Sequence, residues 1–323
     1  MLATEAEVTI GVQSKDIVYS ISIGSKEMEM KGRTDTLVHG CRDLSILKTL
    51  EQGSFATVYL ARKRNVDATF VVKATNKSVA QGIFAQRSSR LTLQSEWLVQ
   101  SQCHHPNIVE VLQSWDAPLH FCLLCEFVKY GDMMRYAMAE GKLASDKQVS
   151  FCSQMLSALQ YLQQQGVAHR DVKPDNILLG RRDCTEFKLG DFGLATQATL
   201  NAGCRTMCGT LMYMAPEMLT ESYHQRHYGQ LVDVWACGVS FYMMFIGLTP
   251  YDCSDEQLKQ YICRGTITWA GVMEEPSLPL LKLMLAIRVE DRLRVADLQL
   301  EGWSHWENVN VCLEACGRTK QFA

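Results

Sequence analysis

The sequence predicts an α+β fold in two parts, a small β-rich lobe followed by a larger, mainly α-helical lobe. Two observations predict it. Short runs rich in β-branched and alternating apolar residues cluster between Leu44 and Val128, and alternation is the signature of a half-buried strand. After Tyr130 the apolar residues recur at helical spacing instead. A crevice between two such lobes is the expected place for a ligand.

Taken in order, strands are expected at 44–50, 57–62 and 69–74, a helix at about 89–103, and two more strands at 108–115 and 121–128. In the second part, Ser145-Asp-Lys-Gln148 reads as a capping box, in which Ser and Gln satisfy each other's backbone N–H groups. Behind it Val149, Cys152, Met155, Leu156, Leu159 and Leu162 fall on one helical face, with Gly166 as the stop. Further helices are expected at 233–245 and 278–286. Residues 1–42 precede this pattern as an extension of unassigned role. Val8, Ile10 and Val12, then Ile17, Tyr19, Ile21 and Ile23, suggest strands there, and the polar patch 26–33 reads as turn-like.

Composition excludes several function classes. Of 323 residues, 47% are apolar and 21% charged, the balance of a globular protein, and the net charge of -3 does not suit a phosphate-tracking nucleic-acid binder. No nucleic acid or membrane partner is therefore expected. The first residues lack the basic cluster and apolar run of a secretory signal. The apolar stretch 234–248 is too short to span a bilayer and begins beside Asp233. The 13 Cys, an odd number, read as reduced, mostly buried thiols of an intracellular, cytoplasmic protein, with the nucleus not excluded. Cys122 and Cys125 have zinc-knuckle spacing but sit in a strand-like run with no second ligand pair, so core thiols are expected.

The chemistry is concentrated in two strings. In His169-Arg-Asp-Val-Lys-Pro-Asp-Asn176, Asp171, Lys173 and Asn176 lie on one loop. Phosphoryl transfer needs a carboxylate to orient the attacking hydroxyl, a cation near the moving phosphate and an oxygen ligand for Mg²⁺. Downstream, Asp191-Phe-Gly193 supplies a second hard oxygen, and Mg²⁺ is held by a few such ligands plus phosphate oxygens.

Together these strings resemble the eukaryotic protein kinase family, serine/threonine type, over about 42–306. The resemblance implies a two-lobed kinase fold, with an N-lobe at 43–126 holding one regulatory helix, a C-lobe at 127–306 and a short tail at 307–323. It implies ATP and Mg²⁺ as cofactors and protein substrates with Ser or Thr acceptors. By resemblance, Asp171 orients the hydroxyl, Lys173 faces the transferred phosphate, and Asn176 and Asp191 hold the metal. Val71-Val-Lys73 matches the strand lysine that contacts the ATP phosphates. Its helix partner is Glu96, nine positions before His105-Pro-Asn-Ile-Val109. Gly53 and Val58 belong to the loop over the phosphates. Backbone groups of Glu126 and Val128 face adenine behind a Cys125 gatekeeper, with Leu178 also in the nucleotide site and Asp132 near ribose or substrate peptide. Cys208 to Glu217 resembles the substrate-docking segment, and Gly209-Thr210 with Lys173 is its serine/threonine version. Glu217 is expected to pair with Arg292, and Asp233 to anchor the catalytic loop.

Besides Ala56, a mild replacement for the last glycine of the phosphate loop, two positions depart from the family pattern. Glu51 stands where the first glycine of the phosphate loop is usual, and Gln100 where an apolar packing residue is usual. They motivate the alternative of a pseudokinase acting as a binding or scaffold protein. A small-molecule kinase is a further alternative, opposed by the docking segment. The resemblance also makes Thr206 a candidate phosphosite, its phosphate pairing with Arg170. Asp132 and Asp175 can attract a basic substrate residue. The short tail points to an upstream kinase, a regulatory subunit or autophosphorylation rather than an autoinhibitory segment. The Asp191 to Thr196 and Cys208 to Tyr213 strings look most like the calcium/calmodulin-dependent, checkpoint and AMP-activated group.

Overall fold

The computed structural model describes residues 7–13, 16–23, 26–33, 44–53, 56–64, 68–79, 94–198, 208–220, 229–269 and 275–316. The chain divides into two compact units. One comprises Met1–Trp97 with Val111–Phe127, the other Leu98–Glu110 with Val128–Ala323.

The first unit is β-rich. Strands β1 (Glu7–Gln13), β2 (Asp16–Ile23) and β3 (Lys26–Arg33) form an antiparallel meander. The expected turn at 26–33 is therefore a strand. Met28 pairs with Ile21 and Met30 with Tyr19, so the Met/Glu alternation is a two-residue period that the high charge of the segment concealed. A second, five-stranded antiparallel sheet has the order β4-β5-β6-β8-β7, with β4 at Leu44–Gln52, β5 at Ala56–Lys63, β6 at Thr69–Asn76, β7 at Val111–Asp116 and β8 at His120–Glu126. Alternation places Leu44, Tyr59, Ala61, Val72, Ala74, Trp115, Cys122 and Leu124 in one buried cluster. Val58 lies opposite Lys73 in the register, so two expected ATP residues are cross-strand neighbours.

Helix α1 (Ser95–Gln100) ends earlier than the expected 103. Residues 89–93 lie outside the described residues, and a turn closed by Cys103 N–H donating to Gln100 O at 2.9 Å ends the helix. Cys122 and Cys125 are both buried in β8, and burial pushes the Cys122 thiol up to about 12. Among the described residues no group of three or more His, Cys, Asp and Glu could hold a metal.

The second unit is built on two helices, α3 (Ser145–Gln164) and α5 (Leu231–Ile246), joined in the core by α2 (Met133–Glu140), α4 (Pro216–Thr220), α6 (Asp255–Arg264), α7 (Leu278–Met284) and α8 (Trp306–Ala315). Phe151 of α3 meets Phe187 edge-on at 4.8 Å between ring centroids and Phe241 of α5 at 5.2 Å, a spacing at which aromatic pairs attract beyond their buried area. Residues 307–315, expected as tail, continue α8, whose Val309 and Leu313 are fully buried. Among the described residues no helix is long and apolar enough to cross a membrane.

The expected capping box at Ser145 does not form. Ala144 is the N-cap, and Gln148 donates to Leu143 O at 3.2 Å instead. Leu143 is buried, and its N–H donates to Met244 O at 2.6 Å. Tertiary docking thus sets where α3 starts, leaving Ser145 already inside the helix. A capping box is found at Ser254 and Gln257, at the start of α6.

Two small antiparallel strand pairs finish the unit. β10 (Ile177–Leu179) pairs with β11 (Phe187–Leu189), and β9 (Val167–Ala168) pairs with β12 (Thr196–Gln197). They fix both ends of the loop 169–176 and of the segment 190–195.

Gly238 lies in the middle of α5, where an added Cβ would meet Met284 Cβ at 2.9 Å and Leu285 Cδ2 at 3.0 Å. Alanine gains up to about 1 kcal/mol of helix propensity, but overpacking costs about 1–3 kcal/mol. Gly238→Ala is expected to lower unfolding stability in urea. Stability equal to wild type would show that α7 moves aside at no cost.

Candidate functional site

The loop 169–176 is held from below by one buried carboxylate. Asp233, 3% exposed near the start of α5, accepts from His169 N–H and Arg170 N–H, each at 2.7 Å. Burial pushes the Asp233 carboxyl up, and the nearby His169 ring and the two backbone N–H groups pull it back. Those bonds hold Arg170 at φ 68, a left-handed conformation uncommon for a non-glycine residue. Arg170 Nε also donates to Leu194 O at 2.7 Å.

His169 is fixed in one tautomer by its neighbours. Its Nε2 lies 3.0 Å from Gly190 O, which only accepts, so the proton sits on Nε2. Its Nδ1 then accepts from Asp171 N–H at 3.3 Å. The ring meets Phe192 edge-on at 4.7 Å. One imidazole therefore ties the Asp171 backbone to the residue before Asp191.

The Asp171 carboxylate is held on both oxygens. Oδ2 is 2.9 Å from Lys173 Nζ and accepts from Asn176 Nδ2 at 3.0 Å. Oδ1 accepts from Thr210 N–H at 3.3 Å. Lys173 Nζ also donates to Thr210 Oγ1 at 3.0 Å. Gly209 makes this approach possible, because at φ 96 an added Cβ would stand 2.6 Å from Arg170 O.

Asn176 Nδ2 donates to Asp171 O at 2.7 Å as well, so the amide nitrogen is committed and Oδ1 is the atom available as a ligand. Asp191 is exposed, at φ 57, with Oδ1 accepting from Gly193 N–H at 3.2 Å. Gly190 N–H donates to Asn176 O at 2.8 Å, joining the two segments. A carboxylate and an amide oxygen are hard donors, which fits Mg²⁺ completed by phosphate oxygens.

The remaining expected residues fall as follows. In the first unit Lys73 Nζ is 2.7 Å from Glu96 Oε1, the two side chains being 19% and 12% exposed. Gly53 N–H donates to Ala56 O at 2.9 Å, and Glu51 is exposed. Glu126 ends β8. In the second unit Val128 is buried, and Asp132 forms a bridge with Leu178. Asp132 also caps α2, accepting from Arg135 N–H at 2.8 Å, with Arg135 Nε at 3.1 Å. Arg292 is fully buried and grips Glu217 with two bonds of 2.6 and 2.9 Å. Thr206 lies outside the described residues.

Sequence reasoning missed the polar side chains that brace the segment before Asp191. Asn107 Nδ2 donates to Gln154 Oε1 at 2.8 Å and to Phe187 O at 2.9 Å, and Gln154 Oε1 also accepts from Phe187 N–H at 2.9 Å. Their sequence spacing carries no signal, since the contacts are non-local. Gln100 is the same kind of case: it is 2% exposed, with Nε2 donating to Val109 O at 2.9 Å.

A helical unit organised around these loops, and a β-rich unit with a lysine–glutamate pair, define a protein kinase domain. The chain belongs to the protein kinase family: residues 44–304 match the protein kinase domain. It is 34% identical to serine/threonine-protein kinase RAD53 of Saccharomyces cerevisiae over 236 residues, covering 70% of this chain and 28% of that protein. It is 30% identical to the probable serine/threonine-protein kinase fhkE of Dictyostelium discoideum over 315 residues, 94% of this chain and 43% of that one. Aurora kinase B of Danio rerio is 29% identical over 287 residues, 88% of this chain and 86% of the relative. The chain thus spans less than half the length of the first two relatives.

Replacing Asp233 by Asn leaves one buried N–H of the loop facing an amide NH₂. An unsatisfied buried donor costs about 1–3 kcal/mol, so Asp233→Asn is expected to lose at least that much stability in urea denaturation. No loss would show that the loop is held by other means.

Proposed function

We propose that the protein transfers the γ-phosphate of ATP to Ser or Thr hydroxyls of other proteins. The observation that carries this is the Asp171 carboxylate, oriented at once by Lys173, Asn176 and Thr210. Such a carboxylate can accept the proton of a substrate hydroxyl as its oxygen attacks phosphorus and the ADP oxygen leaves. Lys173 then offsets the charge on the transferred group. Lys73, kept in place by Glu96, contacts the α- and β-phosphates, and Gly53 lets the backbone approach them. Val58 and Leu178, with backbone groups of Glu126 and Val128, hold adenine, and Asp132 lies toward ribose or the substrate peptide. Asn176 and Asp191 would hold Mg²⁺, which would supply positive charge to offset that of the phosphates.

The serine/threonine names of the relatives and the Lys173–Thr210 contact support the choice of acceptor. A phosphate on Thr206, added by an upstream kinase or by the protein itself, would pair with Arg170. A basic residue on the substrate would have to compete with Arg135 for Asp132, which makes exposed Asp175 the stronger attractor.

The test is ³²P transfer from Mg-ATP to a basic protein and to the enzyme itself. Wild type is expected to label Ser and Thr, and Asp171→Asn to fall by about 10²–10⁴-fold. Wild type that binds Mg-ATP yet labels nothing, alone or after Thr206 phosphorylation, would establish the pseudokinase reading instead. Glu51 is exposed, and two unit charges ~4 Å apart in water interact by only about 1 kcal/mol. Glu51→Gly is therefore expected to lower KM for ATP by no more than about fivefold and to leave kcat unchanged. A larger gain would mean that the carboxylate faces the nucleotide.

A further inference from the structure

The end of helix α8 carries two thiols that the phosphoryl-transfer reading leaves without a role. Cys312 lies within the helix and Cys316 is its C-terminal cap. Cys316 N–H donates to Cys312 O at 3.1 Å, so the helical turn between them is closed. Residues four apart on a helix share one face. Both cysteines are partly exposed. Cys312 Sγ lies 3.7 Å from Gln299 O, and Cys316 Sγ lies 3.3 Å from Asp297 O. Both sulfurs therefore face the same short segment.

The fold fixes both sides of this contact. Val309 and Leu313 are fully buried and hold α8 against the core. Gln160 of α3 holds the facing segment, its Nε2 donating to Val295 O at 3.1 Å and to Leu298 O at 3.3 Å. A thiol is a weak donor, so the two carbonyl contacts are easily given up.

Two chemistries are open to a thiol pair, and spacing separates them. Side chains four apart on a helix have Cβ atoms about 5–6 Å apart, whereas a disulfide needs about 3.5–4.5 Å. A direct S–S bond therefore requires the turn to distort. One ion between the sulfurs spans the gap, as two His at the same helical spacing do on zinc. Thiolates select soft ions. Structural zinc takes four protein ligands, and among the described residues no group of three or more His, Cys, Asp and Glu could hold a metal. Cu(I) is soft and is satisfied by two sulfurs.

We propose that Cys312 and Cys316 are a chelating pair for one soft, low-coordinate cation, Cu(I). Binding replaces two S–H bonds by two S–Cu bonds, and the two protons pass to solvent. Nothing is oxidised or reduced. The site does not depend on the kinase reading, and its test does not use transfer activity.

The full chain, reduced and free of oxygen, is titrated with Cu(I) buffered by bicinchoninate. Alkylation of each cysteine is then mapped by mass spectrometry with and without the ion. Cu(I) is expected to protect Cys312 and Cys316 together. Joining two ligands on one scaffold raises affinity by about 10²–10⁴-fold, so Cys312→Ser and Cys316→Ser are each expected to weaken this site by that factor. The double variant is expected to lose little more than either single one, because the two ligands act as a unit. Combining Cys316→Ser with Glu314→Cys keeps two thiols on α8 but places them two positions apart, on different faces. That chain is expected to bind as weakly as the single variants. Protection of only one of the two cysteines overturns the proposal, and so does unchanged Cu(I) binding in the double variant. Wild-type affinity in the displaced-thiol chain overturns it as well. The protection measurement needs no variant, so it decides the matter even where a substitution impairs folding.

Discussion

The second unit depends on the buried Asp233 carboxylate and the two backbone N–H groups it holds. A charge in the core is costly unless it is fully hydrogen-bonded, and here both oxygens are taken by adjacent residues of one loop. The loop cannot relax, because relaxing would leave the carboxylate unpaired. That constraint keeps Arg170 in its left-handed conformation and orients His169, whose two nitrogens connect Asp171 to Gly190. The stability of the fold and the geometry of the reactive loop are in this sense one interaction.

Around this anchor the functional groups are arranged by mutual constraint. Asp171 is held by Lys173, Asn176 and Thr210, so in the proposed reaction its carboxylate would need little reorganisation when a hydroxyl arrived. Preorganised groups of this kind lower a barrier because their orientation was set during folding. The polar side chains Gln100, Asn107 and Gln154 extend the same logic to the strand before Asp191. Each is satisfied by backbone partners, so a segment rich in polar residues is still rigid.

Much of this was legible in the sequence. The five strands of the larger sheet, helices α3, α5 and α7, and the Lys73–Glu96 and Glu217–Arg292 pairs follow from periodicity and from the family strings. The failures were local. Lys26–Arg33 read as a turn because its charges masked the two-residue period that makes it a strand. Ser145 read as a cap because the capping pattern is a local signal, whereas the start of α3 is set by Leu143 docking on Met244. The bond that satisfies buried Gln100 was not legible, because its partner, Val109 O, is a backbone atom that sequence spacing does not reveal.

The sequence by itself determined the alternation of apolar residues, hence the strands and helices, and the identity of the residues in the two reactive loops. These depend on near neighbours along the chain, where spacing translates directly into a shared face. Only the tertiary structure decided which oxygen of Asp171 each partner takes, which nitrogen of His169 carries the proton, and what satisfies Asp233 and Gln100. Those outcomes join residues far apart in sequence, and hydrogen bonds that depend on distance and angle exist only once the backbone that carries them has folded.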